Sequence, residues 1–329
     1  MKKTILVYIL RRILQSVLAL LGLLTIIFFI FRIMPGNPLA VMISEGLLDP
    51  IAQAKIRAEF GLDQPIFIQY IRYLHNLLTG NLGMSFFYNR QVSEVISTSI
   101  INTLVLILPS MTLAILFGIL VGSLIGWHRG NRFELFGVLS TLFIHSLPVF
   151  WLSILLLMIF AYSLGWVPTG GMYTTIYSAL GIGRFFTKDF LIHYSLPFLT
   201  SFLVYFPVPL LLMRNSIIEI MGEDFLEFTK AKGVKNSILI KHAFRNSLLP
   251  VVTYIAVMST YIIEGNVLLE VVFSWPGMGR ELVNAVLQRD YPVAQAAFFV
   301  MGVVVITMNF FADLLYGYLD PRVKLRGEE

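Results

Sequence analysis

Few residues in this chain have the types and spacing that enzyme chemistry requires. His145 and His193 lie in apolar stretches, where an imidazole could serve as a general base or a metal ligand. Neither is followed by a second histidine or a carboxylate three or four residues later, so a metal site on one helix face is poorly supported. We therefore expect both side chains to be hydrogen-bonded core histidines.

The chain also lacks the sequence patterns of serine hydrolases and of nucleotide-binding loops. It contains no Gly-x-Ser-x-Gly and no Gly-x-x-x-x-Gly-Lys-Ser/Thr sequence. The absence of cysteine excludes disulfides, thiolate nucleophiles and iron–sulfur clusters. Because the nucleotide-binding loop is absent from the sequence, a partner must hydrolyse ATP if the protein uses it. A channel or a proton-coupled protein would also lack this loop.

The composition indicates an all-α, polytopic membrane protein. Of 329 residues, 57% are hydrophobic and 13% are charged, whereas a soluble domain has about 25% charged residues. The apolar stretches reach the roughly 20 residues that a helix needs to cross a bilayer. The net charge of +5 is small and is typical of basic membrane flanks, so we expect the lipid bilayer and no nucleic acid as a partner.

Six membrane spans are predicted, and they divide the chain into four regions. Fifteen of the 24 Lys and Arg residues fall on the side of the two termini, which the positive-inside rule places in the cytoplasm. Five prolines within the spans favour a bundle that moves. The predicted spans cover residues 13–31, 100–127, 135–167, 190–213, 248–269 and 293–318. The regions are the amino-terminal flank with the first span (1–33), an extracytoplasmic subdomain (34–98), a core (99–319) and a cytoplasmic tail (320–329).

The subdomain 34–98 is rich in proline and has balanced charges. Residues 51–60 and 66–78 each have apolar side chains at helical spacing. We expect two short amphipathic helices that lie near the membrane surface.

Two carboxylates, Glu264 and Asp313, fall inside predicted spans, where a charge is costly and is a functional hypothesis by default. Glu264 is expected either to line a pathway through the membrane or to reach the outer interface. Asp313 is expected to form an ion pair with a basic residue of the bundle.

The segment 216–247 is the most unusual part of the chain because it mixes acidic and basic residues on the cytoplasmic side. Between Glu219 and Ala231 the apolar residues Ile220, Phe225, Phe228 and Ala231 recur at helical spacing, which predicts a helix there, and Gly233 follows as a helix-ending glycine. A second helix is predicted from about residue 237 to 245. The pattern predicts a helix, a glycine turn and a helix with an exposed apolar edge, which either binds a partner or rests on lipid headgroups.

Several blocks of this sequence, in this order, resemble the dipeptide and oligopeptide permease family of ABC importers. Glu223-Asp224-Phe225, Thr229 to Val234 and His242 to Pro250 are similar to the family's "EAA" coupling loop, with Glu227-Phe228-Thr229 in the place of Glu-Ala-Ala. Further similar blocks are 8–12, 32–38, 61–65, 80–83, 270–279, 289–292 and 319–322. The resemblance covers nearly the whole chain.

The resemblance implies a type I permease fold of about six transmembrane helices and a role without catalysis of its own. It implies a second homologous permease, two cytoplasmic ATP-binding subunits that bind ATP and Mg²⁺, and an extracytoplasmic substrate-binding protein. The chain itself would hold no cofactor and no metal. The residues that it assigns to ATPase coupling are Glu223, Asp224, Phe225, Glu227, Phe228, Thr229, Lys230, Ala231 and Gly233.

The substrate path and the substrate remain open at this point. We name Glu264, Asn266 and Asn215 as candidate substrate-path residues, and residues 34–98 with the 273–279 loop as the outer mouth. Di- and oligopeptides are the expected substrates; nickel chelates, glutathione and oligosaccharides are the alternatives within this family. An intramembrane enzyme is the alternative from another class, and it would need convergent acid, base or nucleophilic groups.

Overall fold

The computed structural model describes residues 2–33, 64–258 and 267–319, and these residues are predominantly helical. An isolated antiparallel bridge joins Met84 and Gln91. The α-helices are α1 (Lys2–Ile33), α2 (Ile66–Leu78), α3 (Val92–Trp127), α4 (Arg132–Ser146), α5 (Val149–Leu156), α6 (Lys188–Tyr205), α7 (Pro207–Ile220), α8 (Asp224–Ala231), α9 (Asn236–Ser247), α10 (Leu249–Met258), α11 (Val267–Val272), α12 (Met278–Leu287) and α13 (Tyr291–Leu319). A π-helical segment, Leu157–Ser163, continues α5, and a 3₁₀-helical segment, Thr175–Phe186, precedes α6.

The chain forms two compact units, Met1–Ile101 with Gly277–Glu329, and Asn102–Pro276. In the first unit α1 packs along α13. Arg12 Nη1 lies 2.9 Å from Asp313 Oδ2, and the Tyr8 hydroxyl donates to the Asp313 carbonyl oxygen at 2.9 Å. The predicted ion pair of Asp313 is therefore confirmed, and its partner is on the first helix.

A loop of the first unit, residues 83–91, is held by the buried carboxylate of Asp290. The Ser85 hydroxyl and the backbone N–H groups of Phe86 (3.2 Å) and Phe87 (3.1 Å) donate to its two oxygens. The Tyr88 hydroxyl donates to Glu281 Oε2 at 3.2 Å. Together these contacts fasten the loop before α3 to the turn between α12 and α13.

Helix α2 confirms the helix predicted over 66–78, and none of its residues is buried. Its tyrosines face α1: the Tyr70 and Thr25 hydroxyls are 2.7 Å apart, and the rings of Tyr70 and Phe28 meet edge to face. Several of its apolar residues, Phe67 among them, are exposed. The other predicted short helix, 51–60, lies outside the described residues.

In the second unit the predicted third span, 135–167, is divided into two helices at Pro148, one of the five prolines within the predicted spans. Helix α4 and the helix formed by α5 with its π-helical continuation are bent by 100° at Leu147 and Pro148. Proline lacks a backbone N–H and disfavours the helical conformation of the residue before it. Leu147 accordingly has φ −79° and ψ 127°. The pair forms a broken span or a re-entrant hairpin.

Four helical stretches in the described part of the chain are long and apolar enough to cross a membrane, and the bent pair is a fifth candidate. The four are Val7–Arg32, Val92–Trp127, Lys188–Ile220 and Tyr291–Leu314. The predicted span 248–269 corresponds to α10 and α11, and residues 259–266 between them lie outside the described residues. The structure confirms the all-α, polytopic class.

Helices α3 and α7 approach closely along three glycines spaced four residues apart. A Cβ on Gly118 would lie 2.9 Å from Pro209 Cβ, and one on Gly126 would lie 2.8 Å from the Arg214 carbonyl oxygen. A Cβ on Gly122 would overlap the Leu210 carbonyl oxygen. Small residues at this spacing let two backbones pack at short range in a membrane. The stripe therefore fixes α7 against α3.

Candidate functional site

The candidate site begins where α7 ends. Met221 N–H donates to the Ile217 carbonyl at 2.9 Å, and Gly222 and Glu223 N–H donate three residues back, to Glu219 and Ile220. Glu223 then takes an extended conformation (φ −79°, ψ 139°) as the residue before α8. The helix predicted to start at Glu219 therefore starts at Asp224, because the membrane helix α7 continues to Ile220 and needs a turn to change direction.

Helix α8 has the charges that a short isolated helix requires. Asp224 and Glu227 lie in its first turn and Lys230 in its last. Acidic residues near the amino end and basic residues near the carboxyl end interact favourably with the helix dipole. The charge pattern thus supports an eight-residue helix with few tertiary contacts.

Gly233 ends α8 and turns the chain into α9, as the sequence predicts. Its N–H donates to the Lys230 carbonyl at 3.0 Å, and its φ is +73°. A Cβ at this position would meet no atom within 4 Å. Glycine is therefore required by the left-handed backbone conformation rather than by lack of space. The second helix begins at Asn236 and ends at Ser247, slightly longer at both ends than predicted.

The inner face of the helix pair α8–α9 is buried in the core of the second unit. Leu226 of α8 and Leu239 and Ala243 of α9 belong to the same hydrophobic cluster as Met213 and Ile217 of α7. The pair is thus packed onto the membrane helix from which it emerges. The sequence pattern missed Leu226, because the more conspicuous phenylalanines on either side of it suggested a different face.

The outer face of α8 carries the predicted coupling residues. Phe228 is 70% exposed and Phe225 is 40% exposed, and their i, i+3 spacing places them on one side of the helix. Glu223, Asp224, Glu227, Lys230, Ala231 and Gly233 are also exposed, whereas Thr229 is half-buried and donates from Oγ1 to the Phe225 carbonyl at 2.7 Å. The result is a small aromatic edge surrounded by charges of both signs.

Arg214 ties α7 to the start of α4. Its Nε lies 3.0 Å from Glu134 Oε1, its Nη2 contacts the same oxygen, and its Nη1 donates to Asn215 Oδ1 at 2.7 Å. Asn215, a candidate substrate-path residue, is thus exposed beside this ion pair. The sequence shows no signal for the pair, since its members are 80 residues apart.

Glu264 and Asn266, the other candidate substrate-path residues, lie outside the described residues.

His193 is half-buried, and its Nδ1 lies 2.9 Å from the Asp189 carbonyl and 3.7 Å from Asp189 Oδ1. Asp189 precedes His193 by one helical turn, whereas the sequence analysis considered only the residues that follow each histidine. His145 is exposed, so the expectation of a core histidine is wrong there. In the described part of the chain, no group of three or more His, Asp or Glu side chains is placed to hold a metal ion.

The segment 270–276, which overlaps the 273–279 loop that we expected at the outer mouth, is a packed element. The Glu270 side chain is fully buried and accepts a hydrogen bond from Thr103 Oγ1 at 2.7 Å. Trp275, also fully buried, donates from Nε1 to the Asn102 carbonyl at 2.9 Å. Sequence reasoning missed Glu270 as a buried carboxylate because it falls one residue beyond the predicted span.

Comparison with known proteins gives the family of the chain. Residues 114–325 match the family described as the binding-protein-dependent transport system inner membrane component, and residues 5–107 match the amino-terminal family of the same membrane components. The chain is 32% identical to the dipeptide transport system permease protein DppB of Alkalihalophilus pseudofirmus, over 97% of this chain and 99% of the relative.

Other relatives are similar to about the same degree. The oligopeptide transport system permease protein AppB of Bacillus subtilis is 35% identical, over 96% of this chain and 99% of the relative. The glutathione transport system permease protein GsiC of Salmonella paratyphi A is 33% identical, over 97% and 99%. All three are transport permeases, which favours the transport interpretation over the intramembrane enzyme. The chain belongs to the family of inner membrane components of binding-protein-dependent transport systems.

Proposed function

We propose that this chain forms half of the translocation pathway of an ATP-driven importer, and that its helix pair α8–α9 docks on a cytoplasmic ATPase. One observation carries the proposal: α8 is packed on its inner face through Leu226 and bears Phe228 on its outer face with 70% of its surface exposed. Exposed aromatic side chains on a rigid helix are frequent anchors of protein interfaces. A helix that only rested on lipid would not need three acidic residues around such an anchor.

The proposed assembly contains a second homologous permease, two ATP-binding subunits and an extracytoplasmic substrate-binding protein. ATP and Mg²⁺ belong to the ATPases, since this chain lacks a phosphate-binding loop. Both termini and α8–α9 are on the cytoplasmic side, in agreement with the excess of Lys and Arg on that side. ATP-driven closure of the ATPases would push α8, and α7 would carry that movement into the membrane.

Di- and oligopeptides are the proposed substrates. Relatives named for dipeptide and oligopeptide transport are 32% and 35% identical over nearly the whole chain. Glutathione is the nearest alternative, because a glutathione permease is 33% identical and glutathione is itself a peptide derivative. The proposed selectivity resides mainly in the binding protein, so the membrane pathway needs few specific contacts.

The direct test is Phe228→Asp, which places a charge at the centre of the proposed interface. The tagged chain is purified in mild detergent, and the amount of co-purifying ATPase is measured. We expect at least a tenfold loss of ATPase with the amount of inserted chain unchanged.

Phe67→Asp is the matched control, since Phe67 of α2 has the same exposed fraction, 70%. It should retain the ATPase. Equal retention by both variants would refute the docking role of α8.

A further inference from the structure

The loop between α3 and α4, residues 128–131, is connected to α7 through one carboxylate. Glu134 Oε1 accepts hydrogen bonds from the guanidinium of Arg214, and Glu134 Oε2 accepts one from the backbone N–H of Gly130 at 2.5 Å. Asn131 Oδ1 in turn accepts the Glu134 N–H at 3.0 Å and caps α4. The Glu134 side chain therefore links the loop, the start of α4 and α7 within the second unit.

The Glu134 and Arg214 side chains are largely withdrawn from solvent, with exposed fractions of 12% and 28%. Charge-assisted hydrogen bonds of this kind are stronger and more directional than contacts between neutral groups. The Arg214 guanidinium is also held by Asn215 Oδ1 at 2.7 Å. The pair thus has a fixed geometry.

The position of the pair along α7 is close to the proposed coupling helix. Arg214 precedes Ile220, the last residue of α7, by six residues, which is about 9 Å along a helix. In the same stretch, Gly126 of α3 packs against the backbone of Arg214 and the side chain of Ile217. α7 is therefore in contact with both ends of the α3–α4 connection just before it leads into α8.

We propose that the Glu134–Arg214 pair transmits the movement of α8 to the α3–α4 loop, so that α3, α4 and α7 respond to ATP together. Glu134 and Arg214 are positioning residues: they act through the helices that they join. The inference rests on the proposed coupling role of α8 and adds a second element that α8 moves. Without the pair, α8 would still respond to ATP, but the loop would follow it less.

The test measures movement at two positions of the assembled complex. The chain has no cysteine, so a cysteine introduced at His128 or at Lys235, both exposed, is the single thiol of this chain and can be spin-labelled before the chain is assembled with its partners. The complex is reconstituted in liposomes, and the label mobility is compared before and after addition of MgATP with vanadate. Neither label requires a known transport substrate.

In the otherwise unmodified chain, both labels should respond. Glu134→Gln should reduce the response at position 128 at least threefold and leave the response at 235 within twofold. Arg214→Gln, and the two changes combined, should give the same result, because the two residues act as one unit. A merely structural defect would lower both responses together.

Arg12→Gln is the matched control, since it removes the ion pair with Asp313 in the other unit. It should leave both responses unchanged. A full response at 128 in Glu134→Gln, or equal loss at 128 and 235, overturns the inference. No response at 235 in the otherwise unmodified chain instead refutes the coupling role of α8, and this inference with it.

Discussion

Glu281 is a half-buried carboxyl group that faces the loop 83–91. Burial raises its pKa above the usual value, and the nearby Asp290 carboxylate raises it further, whereas the Tyr88 hydroxyl, Arg90 and Arg280 lower it. One of its oxygens, Oε1, is buried without a hydrogen-bond partner in the described structure. The Tyr88 hydroxyl, which donates to the other oxygen, has its pKa raised to about 12 by burial and by this carboxylate. The first unit thus contains a carboxyl group whose charged form is disfavoured in the folded state relative to the unfolded chain.

The raised pKa predicts a pH dependence with a definite sign. The folded state binds the Glu281 proton more tightly than the unfolded state, so the bound proton stabilises the folded state. This stabilisation is fully present below the unfolded pKa, roughly 4.3, and is lost as pH rises through the folded pKa. Glu281→Gln removes this titration and should raise the melting temperature at pH 7 by about 1–3 °C. Thermal unfolding of the detergent-purified chain from pH 4 to 7 measures the effect.

The control for this prediction is Glu94→Gln, because Glu94 is an exposed acid in the first turn of α3. It removes an acid that interacts favourably with the helix dipole, so it should not raise the melting temperature at pH 7. A Glu281→Gln profile that parallels that of the unsubstituted chain would contradict the account of this carboxyl group.

Single residues were predictable from the sequence only where their environment is local. Gly233 follows a helical pattern directly, and its positive φ is as expected. An ion pair of Asp313 with a basic residue was predicted, but the identity of that residue was not. The partner, Arg12, is about 300 residues away, and no local sequence pattern points to it. Glu134 and Arg214 were missed for the same reason. Contacts that depend on how helices pack do not appear in sequence spacing.

Among the helices, the contact between α3 and α7 is the one on which the proposed coupling depends most. A Cβ at Gly122 would overlap the Leu210 carbonyl oxygen of α7, whereas a Cβ at Gly22 of α1 would meet no atom within 4 Å. Gly122→Ala should therefore destabilise the chain by about 1–3 kcal/mol through overpacking. Thermal unfolding of the purified chain gives the comparison.

Gly22→Ala provides the opposite expectation at an equally helical glycine. It should be neutral or stabilise the chain by up to about 1 kcal/mol, since alanine is the better helix former. If the two substitutions have equal effects, the close approach of α3 and α7 is not what holds these helices together.

Elements were predictable where hydrophobic spacing and helix-ending residues agree. Helix α2 begins and ends at the predicted residues because its amphipathic pattern is bounded by Pro65 and Thr79. The third span was predicted as one apolar segment that contains Pro148, and neither its hydropathy nor the proline gives the size of the 100° bend between α4 and α5. The start of α8 was misplaced by five residues, since Ile220 fits both the pattern of α7 and that of α8.

At the level of the molecule, composition and segment length correctly indicated an all-α membrane protein, and the ordered sequence blocks correctly indicated the permease family. The division into the units Met1–Ile101 with Gly277–Glu329 and Asn102–Pro276 was not predicted. It joins the two ends of the chain in one unit, which requires the long-range packing of α1 on α13. The proposed coupling helices and their connection through Arg214 lie entirely in the second unit.

The proposed function depends on a contact in the cell between the exposed edge of α8 and an ATPase. Site-specific photo-crosslinking from position 228 in native membranes tests this contact directly, with position 67, equally exposed on α2, as the reference. We predict that a photoreactive phenylalanine analogue at 228 crosslinks to a protein with a phosphate-binding loop and that one at 67 does not. Crosslinks from 228 to lipid alone, or to the same products as from 67, would contradict the account.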